Sequence, residues 1–181
     1  MTDPALVPSE VLRRARPIPT YRDHPATFGH DLVGVDPSGA PCSVGMADGD
    51  EPVCVLFLSS SCQGCRDFWE GAGVLRRELG AGVRVVVVTR GPEAEDATAV
   101  AALAAPGALG PGHVGAGPGE GGVREATEVV MSSQAYLDYG VSGPPFYALT
   151  VGTEVRTEGV AWGVGETAEA VRQALASPDS P

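Results

Sequence analysis

The chain has 181 residues, enough for one domain with a full hydrophobic core and some excess. Twelve basic against 23 acidic side chains give a net charge of −11, and the densest basic group is only Arg13, Arg14 and Arg16, which argues against a nucleic-acid surface. The apolar runs fall far short of the roughly 20 residues that a membrane helix needs. Met1–Arg16, with Asp3, Pro4, Pro8 and Glu10, also lacks the apolar stretch of a signal peptide. As written, the sequence predicts a cytoplasmic protein, with an anchor upstream of the given start left open. Four cysteines in a chain of this length do not make a disulfide scaffold, which fits a reducing compartment.

Residues 1–24, rich in Pro, Arg and Asp, read as an irregular arm, and residues 25–178 as one domain. Asp31–Val35 and Pro41–Gly45 flank Asp36-Pro37-Ser38-Gly39, a turn sequence that predicts a small β-hairpin. Val53–Leu58 is continuously apolar, as expected of a central strand covered on both faces. The following helix places Cys65, Phe68, Ala72, Leu75 and Leu79 on one face, with Gly71 and Gly73 as candidates for a bend and Gly80–Gly82 as its end. Val83–Val88 is a second buried strand, so strand, helix and strand predict a right-handed crossover and a parallel pair. A second helix is expected over Glu93–Leu103. Residues 106–122, dense in glycine and proline, read as a surface insertion, with a substrate lid as the alternative. Glu128–Met131 is a third strand and Gln134–Tyr139 a short helix. Phe146–Val151 and Glu154–Val160 form a hairpin around Gly152-Thr153, and Glu166–Leu175 is a closing helix. The whole predicts an α/β fold with a mixed central sheet and helices on both faces.

The chemistry-bearing motif is Cys62-Gln63-Gly64-Cys65, set between the first buried strand and the first helix. A thiolate at a helix N-terminus feels unpaired backbone N–H groups and the positive end of the helix dipole, so its pKa falls. Cys62 is then the exposed nucleophile, and Cys65, one turn on, is placed to attack a mixed disulfide and release product. The spacing alone is weak evidence; its place between strand and helix is what raises it. Cys54, inside the strand run, reads as a buried inert thiol. Cys42 has no electropositive neighbour in sequence, and a Cys42–Cys54 bridge is a minor alternative. Trp69 and Trp162 read as core or packing residues. His24, His30 and His113 fall in loops or at their edges.

Val141-Ser142-Gly143-Pro144-Pro145-Phe146 stands just before a β-rich run, where an X–Pro bond commonly forms a fixed turn. With this second element, residues 30–176 resemble the thioredoxin superfamily, especially its thiol–disulfide reductase and maturation branch with an added N-terminal hairpin. The matching pieces are Val53–Cys65, Val83–Val88 and Gln134–Val151. The resemblance implies Cys62 as attacking and Cys65 as resolving thiol. It implies a cis Pro144–Pro145 bond with Pro145 facing the dithiol, and backbone beside these prolines that pairs with an extended substrate segment. It further implies a disulfide-containing protein substrate and an unidentified electron donor; no cofactor or metal is expected.

Three positions depart from the family pattern. The buried Asp six residues before the first cysteine is Leu56 here, so the group that assists deprotonation of the resolving thiol is missing; Glu70 is a candidate replacement. The usual Trp before the first cysteine is Ser61, and the pair between the cysteines is Gln63-Gly64. Other readings stay open. A redox-gated adaptor would keep the dithiol without turnover. A peroxiredoxin-type peroxidase would match Ser59 but needs proline where Val55 stands. A zinc site would need two more ligands beside Cys62 and Cys65.

Overall fold

The computed structural model describes residues 28–46, 51–105 and 127–177. In it the apolar run after Glu51 becomes strand β3 (Pro52–Phe57), flanked by β4 (Arg84–Thr89) on one side and β6 (Phe146–Val151) on the other. Both faces of β3 are covered, and this is why its sequence does not alternate. Cys54, Leu56 and Leu58 point into one apolar cluster, while Val53, Val55 and Phe57 point into another. Each Val, Leu or Phe side chain fully withdrawn from water in this way stabilises the fold by about 1.5–3 kcal/mol.

The full sheet has seven strands in the order β2-β1-β5-β4-β3-β6-β7, where β1 is Leu32–Val35, β2 Pro41–Val44, β5 Glu128–Met131 and β7 Glu154–Val160. β3, β4 and β5 run parallel; the remaining pairs are antiparallel. The N-terminal hairpin β1–β2 extends the sheet beside β5, through Val35 opposite Met131. Its turn is tied by the Asp36 carboxylate, which accepts from the Ser38 N–H at 2.8 Å and the Ala40 N–H at 3.0 Å. Gly39 supplies the left-handed residue at φ +88°.

Helix α1 (Arg66–Leu79) buries Ala72 and packs Phe68, Trp69 and Leu75 into the first cluster, which also takes Val100 from α2 (Ala97–Ala104) and Ala168 and Val171 from α4 (Val164–Ala176). The short α3 (Ser133–Asp138) brings Ala135 and Tyr136 to the second cluster on the other face. Helices therefore lie on both faces, as expected. Gly71 and Gly73 do not interrupt α1. A Cβ on Gly71 would stand only 2.7 Å from Val164 Cγ2, so this glycine permits the close approach of α1 and α4 rather than a bend.

One boundary moves markedly: α2 starts at Ala97, not Glu93. The N–H groups of Ala94 and Glu95 both bond to the Gly91 carbonyl, closing a turn, and the Asp96 carboxylate caps the helix by accepting from the Thr98 and Ala99 N–H groups. The arm 1–24 and the whole insertion 106–122 lie outside the described residues, and with them both the lid and the surface-insertion readings.

Candidate active site

The loop that leaves β3 carries the motif. Cys62 has extended backbone and opens a single 3₁₀ turn, Gln63–Cys65, which runs directly into α1. The Cys65 N–H donates to the Cys62 carbonyl at 3.1 Å, and the two side chains are joined as a disulfide with Cα atoms 5.3 Å apart. Cys62 is half-buried, while Cys65 is fully buried beside Leu56, Phe68 and Trp69. The two sulfurs are thus chemically unequal: one is open to a partner and the other is sheltered at the helix start.

Facing them is the segment before β6. The Pro144–Pro145 bond is cis. The Cys62 Sγ lies 3.8 Å from the Pro144 carbonyl oxygen, within reach of a thiol donor when the pair is reduced. The Pro145 ring lies over the turn between the cysteines, since a Cβ on Gly64 would stand 3.6 Å from Pro145 Cδ. The structure thus brings Cys62, Cys65, Pro144 and Pro145 together.

The short segment Leu58–Ser61 that delivers Cys62 is held from three sides. The Tyr136 hydroxyl donates to the Leu58 carbonyl at 2.7 Å, and the Trp69 indole N–H donates to the Ser59 carbonyl at 3.2 Å. Glu95 Oε2 accepts from the Ser60 N–H at 3.1 Å and from its hydroxyl at 2.6 Å. The Arg90 guanidinium sits 4.8 Å above the Tyr136 ring. Burial first, and the Glu95 carboxylate second, push the Tyr136 hydroxyl well above its ordinary pKa, so it stays a protonated donor at neutral pH.

Leu56 is fully buried in the cluster that holds Cys65, so no carboxylate stands there, and Glu70 is exposed on α1. Cys42 and Cys54 are both free thiols, and the bridge between them does not form. Burial pushes the Cys54 thiol up to about 12, and burial also raises that of Cys42, aided by Asp36 and Glu128. His30 packs edge-on against Tyr139; His24 and His113 are outside the described residues. Among the described residues no group of three His, Cys, Asp or Glu side chains is arranged to hold a metal ion.

The packing expectation holds for Trp69 but not for Trp162, which is 84% exposed. Trp162 follows Ala161, whose N–H donates to the Pro145 carbonyl at 3.1 Å, so its backbone borders the proline segment. Sequence reasoning also missed Glu95 and Tyr136. Glu95 falls inside the helix expected over Glu93–Leu103, and no local pattern links it to Ser60.

No family model matches the chain, and no curated protein matches it. Solved structures do. They include the thioredoxin domain of a thiol-disulfide oxidoreductase from Bacteroides vulgatus, with 14% identity, 82% of this chain and 96% of that one covered, and a TM-score of 0.54. Peroxidoxin BcpB from Mycobacterium tuberculosis is similar at 15% identity, 87% and 100% coverage, and a TM-score of 0.58. StoA from Bacillus subtilis is similar at 11% identity, 79% and 97% coverage, and a TM-score of 0.54. Likeness at these identities speaks for the fold. The chain has a thioredoxin-like α/β fold with an N-terminal hairpin, and a Cys62–Cys65 pair at CxxC spacing sits at the start of its first helix.

Proposed function

We propose that this protein is a thiol–disulfide oxidoreductase in which Cys62 attacks and Cys65 resolves. The observation that carries the reading is the asymmetric pair: a half-buried Cys62 bonded to a fully buried Cys65 at the start of α1, with the Pro144 carbonyl 3.8 Å from the Cys62 sulfur. In the reduced form the Cys62 thiolate attacks one sulfur of a substrate disulfide, forming a mixed disulfide and expelling the other sulfur as a thiolate. The Cys65 thiolate then attacks the Cys62 sulfur and releases the second substrate thiolate. Two electrons pass to the substrate, the Cys62–Cys65 disulfide forms, and a dithiol donor is needed to close the cycle.

An extended segment of a disulfide-containing protein is the substrate this geometry suits. Pro144 and Pro145 have no N–H and the Pro145 carbonyl already accepts from Ala161, which leaves the Pro144 carbonyl to pair with such a segment, and the exposed indole of Trp162, the residue after Ala161, offers apolar surface. Two free thiols, Cys42 and Cys54, support work in a reducing compartment such as the cytoplasm. No described helix is long and apolar enough to cross a membrane. A peroxidase of the peroxiredoxin kind is disfavoured because Val55, where that motif needs proline, is a fully buried residue inside β3.

Trapping tests the proposal. In Cys65→Ser the release step is gone, so Cys62 remains joined to its partner as a stable mixed disulfide, detected by a mobility shift that reductant reverses. Many partners from a lysate identify a general reductase; one or two identify a maturation factor. If neither Cys65→Ser nor Cys62→Ser traps a partner and the unmodified dithiol does not cycle against disulfide and reductant, the chain is a redox-gated adaptor instead.

A further inference from the structure

Glu95 belongs neither to the strand that leads to the dithiol nor to the helix that follows it, yet its carboxylate closes on the loop between them. It ends the turn Gly91–Glu95 ahead of α2, where its own N–H is bonded to the Gly91 carbonyl at 3.0 Å. From there Oε2 alone accepts both donors of Ser60, the N–H at 3.1 Å and the hydroxyl at 2.6 Å, in a half-buried setting. Charge-assisted hydrogen bonds of this kind are about twice as strong as neutral ones, and partial burial limits the screening that weakens surface pairs. The neighbouring Tyr136 hydroxyl fixes Leu58 and the Trp69 indole fixes Ser59, so consecutive residues of the loop each have an anchor. Ser60 is the last of them before Ser61 and Cys62.

Leu58 is also tied to β4, its N–H donating to the Val88 carbonyl at 2.9 Å, whereas the other bonds between Ser59 and Ser61 are internal to the loop. The Ser61 N–H donates to the Ser59 hydroxyl oxygen at 3.2 Å, and the Ser59 and Ser61 hydroxyls are 3.1 Å apart. These bonds move with the loop and do not tie it to the body of the protein. Glu95 does tie it, across 35 positions of sequence, and its loss would leave a buried-side N–H and hydroxyl without their acceptor.

We propose that Glu95 is a positioning residue for the dithiol: by holding both donors of Ser60 it fixes the loop in the orientation that presents Cys62 to a substrate disulfide. This rests on the oxidoreductase reading above. Glutamate at this position keeps the reactive sulfur in place without touching substrate or either cysteine through its hydrogen bonds.

The test uses the full chain in the Cys65→Ser background, so that only attack by Cys62 is read. The reduced protein is mixed with an aromatic disulfide, and the thiolate released on formation of the mixed disulfide is followed from pH 5 to pH 10. Glu95→Ala is expected to lower the plateau rate by about fivefold to tenfold, the scale of one to two lost hydrogen bonds. Ser60→Ala, which keeps the backbone donor, should lose about two- to threefold on the same scale. Glu95→Gln, whose carbonyl oxygen still accepts from Ser60, should restore the plateau to within about twofold. A role confined to folding would lower the melting temperature and leave the plateau unchanged, and equal plateaus in folded Glu95→Ala and Ser60→Ala overturn the proposal. Glu95→Gln as slow as Glu95→Ala assigns the effect to charge and overturns it too. If Glu95→Ala does not fold, Ser60→Ala and Glu95→Gln carry the measurement. Failure of the parent Cys62 to attack the disulfide at all would overturn the oxidoreductase reading itself, which is a separate result.

Discussion

Strand β3 and the loop that leaves it carry cysteines of opposite character. Cys54 lies inside the strand, fully buried among Leu56, Val85 and other apolar side chains, and burial alone pushes its thiol to about 12. Cys62 lies just past the strand end, half-buried, where the chain turns into a helix and the Pro144 carbonyl faces its sulfur. The residue type is the same, so the difference comes from position. Within the sheet, both sides of the backbone are covered and a charged sulfur has no solvation. At the carboxyl end of the parallel strands, the covering stops and the first helix presents its N–H groups. The fold thus seals one thiol inside the sheet and leaves another at the mouth of a helix a few residues later.

The largest effect is expected from exchanging the cysteines on the two sides of that comparison. Cys62→Ser should reduce disulfide turnover by about three orders of magnitude or more, because a serine hydroxyl is not ionised at neutral pH. Cys54→Ala and Cys42→Ser should leave turnover within about twofold, since neither thiol is a thiolate at that pH. Insulin reduction monitored by turbidity measures both. A large loss in Cys54→Ala with the fold intact would break the comparison.

Much of this contrast is legible in the sequence, and the reasons are physical. Val53–Leu58 is apolar without interruption because both faces of β3 are covered, so its burial, and that of Cys54, reads directly from residue type. The hairpin β6–β7 reads from Gly152-Thr153 between two β-rich runs, and Gly152 indeed takes φ +56°. What stays hidden depends on contacts across the chain. The Glu93–Glu95 stretch has good helix formers, but Gly91 gathers two of its N–H groups into a turn and Asp96 starts the helix later. The link from Glu95 to Ser60 has no local signature at all. Trp162 misleads because large aromatic residues are usually packed away, whereas this one stands beyond the end of β7.

A second exchange moves polarity into the silent side. Leu56, one turn of the pleat beyond Cys54 on the same face, shares its cluster with Cys65. Leu56→Asp should speed the resolving step several-fold by offering a base near the buried sulfur, on the scale of one added proton-transfer group. It should also destabilise the protein by about 1–3 kcal/mol where the new carboxyl lacks hydrogen-bond partners. Turnover together with a urea midpoint separates the two effects. An unchanged or lower rate in a folded variant would mean that deprotonation of Cys65 does not limit the reaction.

A smaller effect is expected at the open side, from the exposed Trp162 indole, one residue past the N–H that bonds to the Pro145 carbonyl. Trp162→Ala should raise KM for a protein disulfide by about fivefold, as loss of one aromatic contact implies, with little change in kcat. Oxidised glutathione, which has no extended apolar segment, should be reduced at the parent rate. A uniform loss on both substrates would place the indole's effect on the dithiol itself rather than on substrate docking.

The smallest effect appears only in alkali and belongs to the silent thiol. The folded state holds the Cys54 proton up to about 12, against an ordinary value of 9.0 for a cysteine exposed by unfolding. Its contribution to stability is therefore fully present below pH 9 and is lost as pH rises through that interval, because the unfolded chain sheds the proton first. Tyr139, raised from 10.0 to about 12 mainly by burial, acts with the same sign over the upper part of the window, and Tyr136 is raised as well. Cys54→Ala should consequently show a flatter decline of the urea midpoint between pH 9 and pH 11, by one proton's share of the slope, while the tyrosines account for the remainder. Equal slopes in the parent and Cys54→Ala would show that Cys54 ionises in the folded state as readily as in the unfolded chain, and the contrast between strand and loop would fail at its buried end.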